Sequence, residues 1–282
     1  MARAPAKMSA KDLDELEVAF GLLENLGIAA KIANSVGSPI EAILFKKSPR
    51  FVSKAIHAAT NKALSAAMRV AIGTVGRSSH RKPSRNLVHK FAVAATGATG
   101  GFFGLAGLGV ELPVTTAIMM RSIADIARSE GEDMDDPAVR MACMEVFALG
   151  GKSSGDDDSD AGYFAVRAAI AQQVASAAEF VAAHGMVSKA APVLISAINS
   201  IASRFSIAVS EKVIAQSAPF VGAASGALLN TLFMNHFQSM ARGHFIIRKL
   251  ERKYGRSLVK KSYVRLERVV SMGSISTNSE KL

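Results

Sequence analysis

Tryptophan is absent, cysteine occurs once, and the aromatic share is only 6% of the 282 residues. So few aromatic rings argue against a sandwich or barrel, and alanine, leucine, isoleucine and methionine carry most of a 49% apolar fraction. Helices with almost no sheet are therefore expected. A lone cysteine excludes an internal disulfide and fits a reducing compartment, so Cys143 reads as a small buried apolar residue. The six histidines show neither His-Glu-x-x-His nor Glu-x-x-His spacing, so no metal is expected. Gly-x-Ser-x-Gly is missing too. Gly150-Gly151-Lys152-Ser153 is no phosphate loop, because Val146 stands where the leading glycine belongs. No catalytic residue and no cofactor are expected. Residues 1–20 place Lys11, Asp12, Asp14, Glu15 and Glu17 where a secretory signal needs its apolar core, so no signal is expected.

Acidic residues are missing altogether from residues 42–110, although the chain carries 23 in all. That stretch holds Lys46, Lys47, Arg50 and Lys54, then Arg81, Lys82, Arg85 and Lys90. A second basic block over 242–268 includes Arg248, Lys249, Arg252 and Lys253. Acids gather at 130–136 and 156–160, which read as exposed loops, so a bipolar surface is expected. Cations beside an apolar element suit an anionic membrane. Nucleic acid is not the expected partner, for the first block has only Phe45 and Phe51 to stack on bases.

Charge of either sign is absent from residues 91–110, a length that would cross a bilayer. Yet Gly97, Gly100, Gly101, Gly104, Gly107 and Gly109 fall inside it. Each costs a water-exposed helix about 1 kcal/mol relative to alanine, so close packing or lipid must compensate. The spacings 97 to 101 and 100 to 104 let a helix or acyl chain approach the backbone. Gly222 and Gly226 form a second pair that could face the first.

Ser9 with Asp12 reads as a helix start, and Leu13, Leu16, Phe20 and Leu23 continue an amphipathic helix expected to end near 37–39. A basic amphipathic helix over 48–75 follows, then a loop over 76–84. Glu111 and Pro113 predict a turn or kink before a second helix through Arg121. Asp136-Pro137 opens a helix that Gly150-Gly151 ends. Further helices are expected over 163–183, 192–214, 220–254 and 258–270, with a polar tail from Gly273. Of the charges in apolar surroundings, Glu111, Arg121 and Glu145 stand out, and Glu111 with Arg121 across the bend is the expected ion pair.

The run Gly100-Gly101-Phe102-Phe103-Gly104-Leu105-Ala106-Gly107-Leu108, followed by Leu112-Pro113 and Arg121-Ser122-Ile123-Ala124-Asp125, resembles the EcsC family of bacterial proteins. Glu145-Val146-Phe147-Ala148-Leu149-Gly150-Gly151 resembles the family's next segment, and Ala218-Pro219-Phe220-Val221-Gly222 with Asn230 its C-terminal block. Glu111 stands where the family has aspartate, which keeps the charge and lengthens the reach. The resemblance implies a helical, cytoplasmic protein peripheral to the inner membrane, with an ABC transporter or other membrane protein as a partner.

The expectation is a single all-α, multi-helix domain with glycine-rich apolar helical hairpins. Residues 1–40 form an N-terminal amphipathic helix, 41–256 the EcsC-like domain, and 257–282 a basic helix and polar tail. A non-enzymatic role on anionic membrane lipid is expected. The alternatives are a soluble carrier of a lipid or other apolar ligand, held between the two glycine-bearing helices, and a hydrolase using Glu111 or Glu145. Glu111, Arg121, Glu145 and Asn230 form the expected buried polar or ligand site.

Overall fold

The shortest described helix lies at the centre. Asp136 caps it by accepting from the Ala138 N–H at 2.8 Å, and Pro137, which has no N–H to leave unsatisfied, takes its first position. From there residues 141–150 are buried without a break. A helix apolar on every side has to be wrapped by others, and this one touches five. The structure is a computed structural model and describes residues 7–24, 50–73, 104–151, 162–185, 191–216 and 223–279. Among these there are eight helices and no strand: α1 (Ala10–Leu23), α2 (Arg50–Gly73), α3 (Gly104–Ser129), α4 (Pro137–Leu149), α5 (Gly162–His184), α6 (Pro192–Gln216), α7 (Ala223–Tyr254) and α8 (Arg256–Ser279). Helix α4 is the central one and packs on α2, α3, α5, α6 and α7.

Close backbone approach is found at the buried end of α4. A Cβ on Gly150 would lie 2.2 Å from the Phe237 ring, and one on Gly151 would lie 2.1 Å from the Arg204 carbonyl oxygen. Gly150 has an ordinary helical φ of −76°, so space rather than conformational freedom requires glycine there. Its carbonyl accepts from His236 Nε2 at 2.8 Å, which fixes the proton on that nitrogen because a carbonyl only accepts. Gly243 on α7 likewise admits α1, since a Cβ there would come within 2.7 Å of Leu23. Of the expected close-packing set, Gly226 is buried in α7, and Gly104 and Gly107 belong to the first turns of α3. Gly97, Gly100, Gly101 and Gly222 lie outside the described residues. Gly109 of the same run is not closely packed, since a Cβ there would meet nothing within 4 Å.

Pro113 does not break the chain into two helices as expected; α3 runs through it. Proline lacks the N–H that would bond the Gly109 carbonyl four residues back, and its ring crowds that carbonyl. Lys62 of α2 takes over by donating to the Gly109 oxygen at 3.2 Å. Two boundaries also differ. Helix α1 ends at Leu23, before the weak helix formers Asn25 and Gly27, rather than near 37–39. Helix α8 extends through Gly273 to Ser279, since no proline stops it.

The first part of the second basic block is paired with acids, while its α8 residues Arg256 and Lys260 are exposed. Glu132, in the acidic loop, is only 8% exposed and is held by Arg248 at 2.9 Å and by Arg252. Lys249 bridges Glu15 at 2.8 Å and Glu130 at 3.1 Å, and Lys253 meets Asp12 at 2.7 Å. These four residues form a partly exposed seam that ties α1 and the 130–132 loop to α7. Of the other expected basic surface residues, Lys54 is exposed, Arg50 opens α2, and Lys46, Lys47, Arg81, Lys82, Arg85 and Lys90 lie outside the described residues.

Hydrogen bonds from Lys253, Ser9 and Tyr254 hold the Asp12 carboxyl well below the usual aspartate range. A depressed carboxyl contributes stability that is complete above its unfolded value, about 3.9, and fades as pH falls towards the lower folded value. Asp12→Asn is expected to be less stable than the parent at pH 7, with the gap closing between about pH 4 and 2. Urea midpoints across that range check this; a gap that stays constant with pH contradicts it.

Candidate functional site

The structure separates the expected site residues into two places and leaves one outside both. Glu111, 7% exposed on α3, pairs with Lys212 of α6, whose Nζ lies 2.8 Å from Oε1. The pairing expected with Arg121 fails because ten residues of continuous helix place the two about 15 Å apart along α3, and Arg121 is exposed. Lys212 is wholly buried and also sits 5.3 Å above the Phe233 ring. Burial pulls the Lys212 ammonium below its ordinary pKa, and Glu111 opposes the shift. Asn230, three residues before Phe233 on α7, is fully buried. This is a closed structural pair.

Glu145 belongs to a second, open place. It lies on α4, 6% exposed, and lines a cleft of about 510 Å³ whose walls come from α4, α5, α7 and α8. Arg167 Nε is 3.7 Å and His244 Nε2 3.9 Å from its carboxylate, both beyond hydrogen-bond distance. Arg167 instead grips Glu251 with two bonds of 2.9 and 3.0 Å, a bidentate fork. Burial pushes the Glu145 carboxyl up from its ordinary value, with Arg167 the strongest opposing influence. His244 accepts or donates at Nδ1 to the Tyr163 hydroxyl at 2.9 Å. Burial, then Arg167 and Arg248, hold His244 well below its usual pKa, so the ring is neutral near pH 7.

The cleft is two-sided. One wall carries Ala138 and Ala142 of α4 opposite Ala168, Ala171, Ala175 and Ala178 of α5. The other end carries Arg248, Arg256 and Lys260, with the Phe164 ring at the junction, 5.8 Å beneath the Lys260 ammonium. A concave apolar surface closed at one end by charge has the make-up of a ligand site. It does not lie between the two glycine-bearing helices, where a carrier's cavity was expected. Cys143, fully buried beside this wall on α4, has its thiol pushed up by burial and is inert.

Sequence reasoning missed Lys212, Arg167, Glu251, His244, Arg256 and Lys260. The rule that singled out Glu111 and Glu145, a charge in an apolar helix, applies equally to Arg167, the one charged residue of α5 before Glu179, and to Lys212.

The EcsC protein family model matches residues 23–250 of this chain. No curated protein and no solved structure matches it. The matched span holds α2 through most of α7, while α1 lies almost wholly before it and α8 after it, so Arg256 and Lys260 are contributed from outside it.

Removing one partner of a buried ion pair strands the other, at a cost of about 3–5 kcal/mol. Lys212→Met is expected to lose stability on that scale, and Glu111→Leu combined with Lys212→Met to regain most of it. Urea unfolding of the three proteins tests this, and a double variant as unstable as the single one speaks against it.

Proposed function

The chain belongs to the EcsC protein family, and from that footing we propose that it is a non-enzymatic protein peripheral to the cytoplasmic face of a membrane, resting on anionic lipid through the glycine-rich end of α3. The observation that carries this reading is the outer stripe of that helix. Val110 is 71% and Val114 45% exposed, and Arg121 follows on the same face seven residues later. At about 1.5 Å per residue the cation stands roughly 10 Å above Val114, the separation between headgroup and acyl levels at an interface.

A neighbouring helix supports it. Helices α3 and α7 run parallel: Ser122 bonds Gln238 at 2.9 Å, and Glu132 and Glu130 meet Arg248 and Lys249. Offsets of 116 to 119 residues between the bonded partners set Leu228, 41% exposed, within a turn of Val110. Apolar side chains from two helices thus face outward at the end from which the charge-free run 91–110 enters α3. Exposed Lys54 and Arg69 of α2 add positive charge for anionic headgroups.

Helix α6 is the one described helix long and apolar enough to cross a bilayer. Its packing on α2, α4 and α5 and its buried Lys212 make it a core helix instead. A hydrolytic alternative keeps only Glu145, since Glu111 is held by Lys212.

Flotation with vesicles containing anionic lipid tests the reading. The protein is expected to float with them at low salt and to be released by high salt. Val110→Asp with Val114→Asp is expected to lower recovery at least tenfold with little change in stability, because both sites are exposed. Equal recovery in the soluble fraction with anionic and zwitterionic vesicles at low salt would overturn the proposal.

A further inference from the structure

The cleft lined by Glu145 has three features that the fold leaves unanswered. The first is Glu145 itself. It is nearly buried and turned into the cleft, yet no described side chain donates a hydrogen bond to it; its nearest basic groups are the Arg167 guanidinium at 3.7 Å and the neutral His244 ring at 3.9 Å. The Nε2 atom of His244, buried beside it, also lacks a hydrogen-bond partner. A nearly buried carboxyl that opens into a cleft gains from any hydrogen-bond donor a ligand brings there.

The second feature is the pair Arg256 and Lys260, exposed on the first turns of α8. Arg167 is occupied by Glu251 and Arg248 by Glu132, but neither Arg256 nor Lys260 has an acidic partner among the described residues. Arg256 is near enough to Glu145 to act on its charge. A ligand head placed there meets a carboxyl on one side and two open cations on the other.

The third is the alanine wall. Ala168, Ala171 and Ala175 are exposed and line the cleft at spacings of three and four, so they form one stripe on α5. From Ala168 to Ala178 the stripe is about 15 Å long. Alanine in a groove leaves room for a slender apolar body, and Phe164 and Val174 line the same cleft. The cleft's volume of about 510 Å³ lies within the range of small-molecule sites.

Together these select a ligand with three parts: an anion for Arg256 and Lys260, a hydrogen-bond donor for Glu145, and an alkyl chain for the alanine groove. We infer that the cleft binds one amphiphile of the phospholipid class, its phosphate between Arg256 and Lys260, the ammonium or hydroxyl of its head on Glu145, and an acyl chain along Ala168, Ala171 and Ala175. A fatty acid supplies the anion and the chain but no donor, because an ionised carboxylate only accepts. A water-soluble phosphate ester supplies the head without the chain. This site is separate from the outer stripe of α3 and holds a single molecule rather than a surface.

The test is isothermal titration of the full-length protein with lysophosphatidylethanolamine, lysophosphatidylglycerol, the free fatty acid of the same chain, and glycerophosphoethanolamine, each below its micelle concentration. One-to-one binding of the two lysophospholipids, at least tenfold tighter than the fatty acid and the chainless ester, is expected. Ala171→Phe, which fills the groove at an exposed position, and Lys260→Gln with Arg256→Gln are each expected to weaken that binding at least tenfold. Glu145→Gln is expected to narrow the gap between lysophosphatidylethanolamine and the fatty acid. Lysophospholipids that bind no better than the fatty acid, or binding untouched by the Ala171 and Lys260/Arg256 variants, would overturn the assignment. The same exposed variants should float with anionic vesicles as the parent does, so failure of the cleft and failure of membrane docking give different results.

Discussion

The ion pairs along the last three turns of α7 decide which charges remain available to anything outside the protein. Arg248, Lys249, Arg252 and Lys253 reach Glu132, Glu130, Glu15 and Asp12. Exposed ion pairs contribute little singly, but Glu132 is nearly buried and shared between two arginines, so this network holds α1 and the acidic loop in place. Cations that would otherwise stand free on the surface are paired with acids along a seam. The consequence is that the open cations at the cleft are those of α8.

The same need to answer a buried charge organises the interior, with different outcomes at two carboxylates. Glu111 finds Lys212 at hydrogen-bond distance and is closed off. Glu145 finds Arg167 already engaged by Glu251 and a neutral His244, and it is left facing a cleft. One is part of the architecture; the other is available for a ligand. The family match ends at residue 250, so the cations opposite Glu145 come from a helix beyond the matched span.

The all-α class was legible from composition and periodicity, and the capped start of α4 from Asp136-Pro137, because these depend on local preferences. Burial of Glu111, Glu145 and Asn230 followed from charge or polarity in apolar surroundings together with the family resemblance. The partners were not legible, since Lys212 lies 101 residues from Glu111 and only tertiary packing joins them. Pro113 misled because a lysine from another helix satisfies the carbonyl it orphans. Gly150, Gly151 and Gly243 matter for contacts with Phe237, Arg204 and Leu23 that no local pattern encodes. The expected packing of Gly97, Gly100 and Gly101 lies outside the described residues.

A polarity-sensitive fluorophore attached at Val110→Cys, compared with one at Arg252→Cys, tests most directly the proposal that the end of α3 meets lipid. Cys143 is buried and its thiol is held protonated, so labelling goes to the introduced cysteines. On adding anionic vesicles, the account expects a blue shift at position 110 and none at 252. A shift at 252 with none at 110 would mean that the basic seam, and not the end of α3, is the membrane-facing surface.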